Sequence, residues 1–262
     1  MTLPALRNAV PFFVLLFIAA ALAAASGAGA AELSNLDADL PTAVDDALAA
    51  APGRFELQGA ARYDRVHGRD AVQLLPRVQL GVIEGFQVNL ALPYTVGSGR
   101  RGDPGSSGGG GGLLYNFNRE TDWLPAFAVA LDYGKPVGSG RQSAEIGLTG
   151  IATKTISPAV DRRLNLNVAW LRTLNPDEEE RRDRYRVIAG YNQLVASNVV
   201  VVLDYVRESQ ERRERAANIV EAGLRYQFTD AVTLGAGAGF GVGRDSPRFR
   251  ALASIQIGFG GR

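Results

Sequence analysis

The chemistry open to this chain is bounded first by what it lacks. Its 262 residues include a single histidine and no cysteine, which removes disulfides, thiolate metal ligands, thiol nucleophiles and an acceptor for an N-terminal lipid together. His67 stands between Asp64 and Asp70, and an imidazole beside a carboxylate is two-thirds of a hydrolytic triad. The nucleophile is missing: Gly68-Arg69-Asp70 follows the histidine, and both acids suit a turn. A second candidate, Gly97-Ser98-Gly99-Arg100-Arg101-Gly102, fits G-x-G-x-x-G. A dinucleotide site needs a helix next, whose N-terminus meets the pyrophosphate. Here Asp103-Pro104-Gly105-Ser106-Ser107 and a run of glycines follow, so this stretch reads as an external loop. Carboxylates and imidazoles are nowhere grouped as metal ligands. Neither a catalytic residue nor a cofactor is expected.

Polar groups at every second position are abundant instead. Glu56, Arg62, Asp64, Arg77, Gln79, Asn89, Asp132, Glu145, Arg163, Asn165, Asn167, Arg184, Arg186, Asp204, Glu221, Arg225, Arg250 and Gln256 all alternate with apolar or small neighbours. A strand built this way needs water or paired polar partners on one side and an oily environment on the other. These are the candidate lumen-facing residues of a barrel. Their signs nearly balance, which argues against strong ion selectivity, since that needs a ring dominated by one charge. The lumen is either a wetted channel or a network of paired side chains that closes it.

The elements that must position them are about twelve strands. The last sets Phe249, Ala251, Ala253, Ile255, Ile257 and Phe259 against Arg250, Leu252, Ser254, Gln256 and Gly258, a period of two over about ten residues, which suits a tilted bilayer crossing. It must pair with the first strand, because an open edge cannot stay in hydrocarbon. Pro76 falls inside the second strand and marks a bulge or locally broken ladder. Val200 and Val202 make one inner face partly apolar, and the glycines from Gly235 to Gly243 permit close backbone approach or a bend in the wall. Connections alternate, with Thr95–Gly108, Gly134–Ser143, Asn175–Asp183 and Arg207–Ala216 long and Glu84-Gly85, Ser157–Asp161 and Thr229–Ala231 short. That rhythm belongs to an outer-membrane barrel with both termini periplasmic. The charged runs from Asp177 and from Arg207 are solvated loop tips, and Tyr63, Tyr94, Trp170, Tyr226 and Phe228 fall at strand ends where an aromatic girdle sits.

Residues 1–30 read as a secretory signal peptide: Arg7, an apolar run to Leu22, then Ala28-Gly29-Ala30. Residues 31–53 read as a short periplasmic extension, with Leu33, Leu36, Leu40, Val44 and Leu48 at a spacing that allows a helical turn or two. Residues 54–262 form the barrel. The fold class is therefore all-β, a transmembrane antiparallel up-and-down β-barrel after a cleaved signal peptide. A formal net charge of +1 and 46% hydrophobic residues carry no nucleic-acid footprint.

Three stretches resemble the outer-membrane transporter family grouped under the MetA pathway of phenol degradation. They are Gly85-Phe86-Gln87-Val88-Asn89-Leu90-Ala91-Leu92-Pro93-Tyr94, Leu114-Tyr115-Asn116-Phe117-Asn118, and Leu124-Pro125-Ala126-Phe127 with Gly134-Lys135-Pro136-Val137-Gly138. The resemblance implies passage of organic solutes and brings no catalytic residue. The function expected is a passive channel for small organic, aromatic or hydrophobic, solutes; a non-transporting barrel that binds through its loops is the alternative, and a barrel hydrolase lacks its triad. The partners implied are outer-membrane lipid, small organic solutes and the barrel assembly machinery, although Gly260-Gly261-Arg262 after Phe259 departs from the aromatic ending common in such barrels.

Overall fold

The computed structural model describes residues 33–66, 69–97, 106–137, 143–178, 180–210 and 215–260. The stretch read as a signal peptide, His67, most of the G-x-G-x-x-G stretch and the last two residues lie outside them.

Thirteen extended segments follow one another: β1 (Phe55–Val66), β2 (Arg69–Ile83), β3 (Phe86–Ala91), β4 (Tyr94–Gly97), β5 (Ser106–Asn116), β6 (Ala126–Val137), β7 (Ala144–Ser157), β8 (Arg162–Leu174), β9 (Asp183–Ala196), β10 (Val199–Glu208), β11 (Ala217–Thr229), β12 (Val232–Gly241) and β13 (Phe249–Phe259). β3 and β4 both pair with β2 and with β5, so they are two halves of one wall strand and the wall has twelve. Each strand is antiparallel to its neighbour, and β1 pairs with β13 from Phe55↔Phe259 to Arg65↔Phe249. That pairing closes the barrel and leaves no edge for hydrocarbon to meet.

Pro76 breaks the ladder on one side only. The β1–β2 register runs through Gly59↔Pro76 without a shift. On the other side pairing stops at Arg77↔Ala91 and resumes at Leu74↔Tyr94. The gap holds Leu92-Pro93, and the Leu92 N–H donates to the Pro76 carbonyl at 3.0 Å. Pro76 stands opposite Leu92 with no N–H to return, and Pro93 beside it has none either, where the third wall strand divides into β3 and β4.

The wall inverts a soluble protein. Leu90, Leu92, Phe117, Tyr185, Phe228 and Phe240 are exposed on its outside, while Glu56, Gln58, Asn165, Asn192, Glu221 and Arg225 are buried within. One strand, read in steps of two, sorts its residues between lipid and lumen. Aromatic rings meet at both mouths. Phe55 lies 5.8 Å from Phe259, and Phe117 stacks on Phe127 at 6.3 Å, beside the short connections. Phe249 contacts Tyr63 and Phe240 beside the long ones.

Residues 33–53 differ from the expectation of a periplasmic, helix-prone extension. They lie inside the barrel, without a helical turn. Pro41 stands in the middle of the stretch and ends any helix there. The backbone N–H groups beyond it are taken by side chains of the wall.

Candidate functional site: a lumen divided in two

The inner segment enters and leaves by the same mouth, the one with the short connections. Near its start, the Ser34 carbonyl accepts from Arg163 at 3.4 Å and the Asn35 carbonyl accepts from Arg225. Arg163 lies at the beginning of β8 and Arg225 near the end of β11, both close to that mouth. At its close, Gly53 and Arg54 exchange backbone hydrogen bonds with Gly81, near the end of β2. Between these points the segment rises to Asp39, pairs with Arg62 at 3.1 Å, and turns. Asp39 has a φ of 70°, in the left-handed region that aspartate tolerates in turns.

From Ala43 to Ala50 the chain runs around the inner circumference, and strand after strand supplies one acceptor. The N–H of Ala43 donates to Glu221 on β11 at 2.9 Å, Val44 to Asp204 on β10 at 3.0 Å, and Asp45 to Asn167 on β8 at 2.9 Å. Ala47 then donates to Thr153 on β7 at 2.9 Å and Ala50 to Gln87 on β3 at 2.7 Å. In return, Asn167 donates to the Asp45 carbonyl and Asn116 on β5 to the Ala47 carbonyl. A coil that would leave its buried N–H groups unpaired, at a cost of about 1–3 kcal/mol each, is thereby satisfied almost residue by residue.

Three other features fit the wall to this coil. Leu33, Leu36 and Val44 pack on Ile188, Val200, Val202, Val206 and Ile219, so the apolar inner face of β10 is a docking surface. Glycines on inward positions leave the room required. A Cβ on Gly190 would come within 2.5 Å of Val44, one on Gly223 within 2.7 Å of the Pro41 ring, and one on Gly237 within 2.5 Å of the Pro41 carbonyl oxygen. Asp46 ties the two arms of the segment together, accepting from the N–H groups of Leu36 and Leu48 at 2.8 and 2.9 Å.

The coil's own carboxyl groups respond to this enclosure. Burial pushes Asp46 up to about 7, against the pull of Arg163 and the two N–H groups. Burial, with Glu56 nearby, pushes Asp37 up to about 6, while Arg77 and Arg225 pull the other way. Asp45 is raised well above the usual range, by burial and then by Asp37 and Asp46. Burial acts on Asp39 too, but Arg62, Arg77, Arg186 and Arg250 outweigh it and hold that carboxyl low.

The polar side chains named from the sequence divide by height. In the half near the short connections, Glu56 binds Arg54, Gln58 and Gln256, and Arg225 binds Gln256 at 2.6 Å. Gln79 hydrogen-bonds Asp37, Asn165 bridges Thr153 and Asn192, and Arg163 holds Asp161 at 2.7 Å. Midway, Arg250 spans Asp64 at 2.6 Å and Glu221 at 2.8 Å, and Arg62 also reaches Asp64. Nearer the long loops, Arg184 pairs with Glu145. Arg77, Asn89, Asp132 and Arg186 line a cavity of about 660 Å³, whose floor is Ala38, Asp39, Ala43 and Asp45 of the inner segment. Gln58, Gln87, Asn116 and Thr153 share the polar alternation of the wall, whereas Asp37, Asp39, Asp45 and Asp46 of the inner segment follow no such pattern.

A closed, twelve-stranded antiparallel barrel with oil-facing outside and polar inside is the architecture of outer-membrane porins and channels, and solved structures bear this out. The barrel is similar to the COG4313 outer membrane channel from Pseudomonas putida F1, with 12% identity over 82% of this chain and 100% of that one and a TM-score of 0.60. It is similar to the KdgM porin at 7% identity over 78% and 99% with a TM-score of 0.55, and to the NanC porin at 11% over 79% and 99% with a TM-score of 0.52. No family model matches the sequence, and no curated protein does either.

Proposed function

We propose that the protein is a passive outer-membrane channel for small organic solutes whose conductance is set by residues 33–53. Residues 1–30 serve as its cleaved export signal, and the barrel assembly machinery inserts the remainder. The observation that carries the reading is the cavity of about 660 Å³ that the long-loop mouth leads into and the inner segment floors. Its lining is mixed, with Arg62, Arg77 and Asp132 beside Leu114, Ala130 and Ile188. Such a lining suits a solute with both polar and apolar parts. The resemblance to the MetA-pathway family favours an aromatic or hydrophobic solute. Lumen-facing charges tune polarity in this reading and do no covalent chemistry.

The floor favours a second reading in equal physical terms: a barrel sealed by its own N-terminal segment transports nothing and acts through its loops. Planar-bilayer recording and liposome swelling, on the full chain and on a variant lacking residues 33–50, separate the two. A channel conducts weakly when intact and strongly once the segment is removed. A silent intact protein beside a shortened one that conducts, both shown to be folded by their heat-modifiable migration, selects the sealed barrel.

A further inference from the structure

Most guanidinium groups in the lumen are engaged by carboxylates. Arg62 holds Asp39 and Asp64, Arg250 holds Asp64 and Glu221, Arg184 holds Glu145, and Arg163 holds Asp161. Arg77 and Arg186 differ. Among the described residues neither makes an ion pair within 4.0 Å. Arg77 reaches only the Ala38 carbonyl, at 3.3 Å, and the Nε of Arg186 is buried without a hydrogen-bond partner. Both line the cavity. They stand on β2 and β9, the second and eighth of the twelve wall strands, and so on opposite sides of the lumen.

A buried guanidinium edge without an acceptor is costly, and a planar carboxylate is the acceptor whose geometry fits it. The fixed acids nearby do not take that place: Glu208, the cross-strand neighbour of Arg186, lines the cavity without pairing with it, and Glu145 is held by Arg184. Asp39 and Asp132 both lie within electrostatic reach of Arg77 and Arg186, yet Asp39 is bound to Arg62 and Asp132 is turned toward Asn89 and Gly112. Between the two arginines the cavity wall is mixed, with Ala130 and Leu171 beside Gln87, Thr149 and Thr173.

We propose that this cavity is a binding site for a small organic monocarboxylate, its carboxylate held by Arg186 and Arg77. This deepens the channel reading and rests on it for physiological meaning, but binding itself requires no passage.

The test is calorimetric titration of the full, folded protein in detergent micelles with benzoate and with its neutral isostere benzamide. Benzoate is expected to bind about tenfold or more tightly than benzamide, the discrimination of one charge-assisted hydrogen-bonded contact. Arg186→Gln is expected to remove most of that preference, and Arg186→Lys, which keeps charge and loses the fork, to retain part of it. Equal affinity for the two probes in the wild-type protein overturns the proposal without need of any variant, as does a preference untouched by both Arg186→Gln and Arg77→Gln. A barrel that binds benzoate in this manner and still fails to conduct upholds the site and rejects the channel; one that conducts and ignores the charge of the probe does the reverse.

Discussion

The two halves of the lumen are lined by the same alternating strands and hold opposite contents. Toward the short connections the inner segment fills the lumen: Gly190, Gly223, Val200, Val202, Asn167 and Thr153 all meet it, beside the cluster of Glu56, Gln58, Gln256 and Arg225. Toward the long loops, the inward residues are longer and charged, Arg184, Arg186, Glu145 and Asp132, and they surround a cavity. The difference lies in what the polar atoms are bonded to. In the first half many are satisfied by a backbone, which needs one acceptor per N–H in a fixed order. In the second they answer to one another and to solvent, which fixes no single occupant.

That contrast is broken most directly by filling a glycine. Gly237→Val places side-chain atoms where the Pro41 carbonyl now stands and is expected to weaken docking of the segment by about 1–3 kcal/mol or more. The readout is faster amide hydrogen exchange from 36 to 48 while the strands stay protected. Asp46→Ala leaves the N–H groups of Leu36 and Leu48 without their acceptor, a loss of about 1–3 kcal/mol, seen by the same exchange and by chymotryptic cleavage after Leu36 or Leu48 in the folded barrel.

A change of pH acts on the same half with a defined sign. Asp46 and Asp37 have raised values in the docked state, about 7 and about 6 against an ordinary 3.8, so the docked segment binds protons that a released one gives up. Their contribution to docking is greatest below about pH 4 and is lost as pH rises through 6 to 7. Asp39, held low by its arginines, opposes this in the acid range. Exchange protection at Val44 and Ala47, corrected for intrinsic rate, is expected to be higher at pH 5 than at pH 8. Equal protection at both would show that these carboxyls are wetted and not enclosed.

The smallest effect belongs to the cavity rim. Glu145→Gln removes the partner of Arg184 at a side chain that is 39% exposed, and docking of the segment is expected to change by no more than about 0.5 kcal/mol. A larger change would mean that the two halves are coupled.

The wall was legible in the sequence because a strand advertises its two environments within a few residues. The alternation from Phe55 to Phe259, the lipid-facing aromatics and the twelve wall strands all followed from period two, and even the division at Leu92-Pro93 had its cause in Pro76. The interior was not legible in the same way. Leu33, Leu36, Leu40, Val44 and Leu48 recur at helical spacing, yet they serve an irregular coil, since the partners of that coil are remote: Val44 meets a residue 160 positions away and Ala43 one 178 away. Local pattern does not encode such pairs. The trace they left was on the wall, in places where the rule was bent. Val200 and Val202 are apolar where a lumen residue is polar, and Gly235 and Gly237 have no side chain where Pro41 comes close. Each irregularity is the imprint of something seated against it.

The circumferential run from Ala43 to Ala50 also constrains the order of assembly. Its acceptors are distributed from β3 to β11, so the segment made first finds its last partners only after nearly the whole wall has been synthesised and curved into shape. Such long-range contacts form late. Seating of the N-terminal coil therefore reports completion: a barrel arrested before β11 is in place has nothing to offer Ala43, and its amino-terminal end stays outside, within reach of periplasmic proteases.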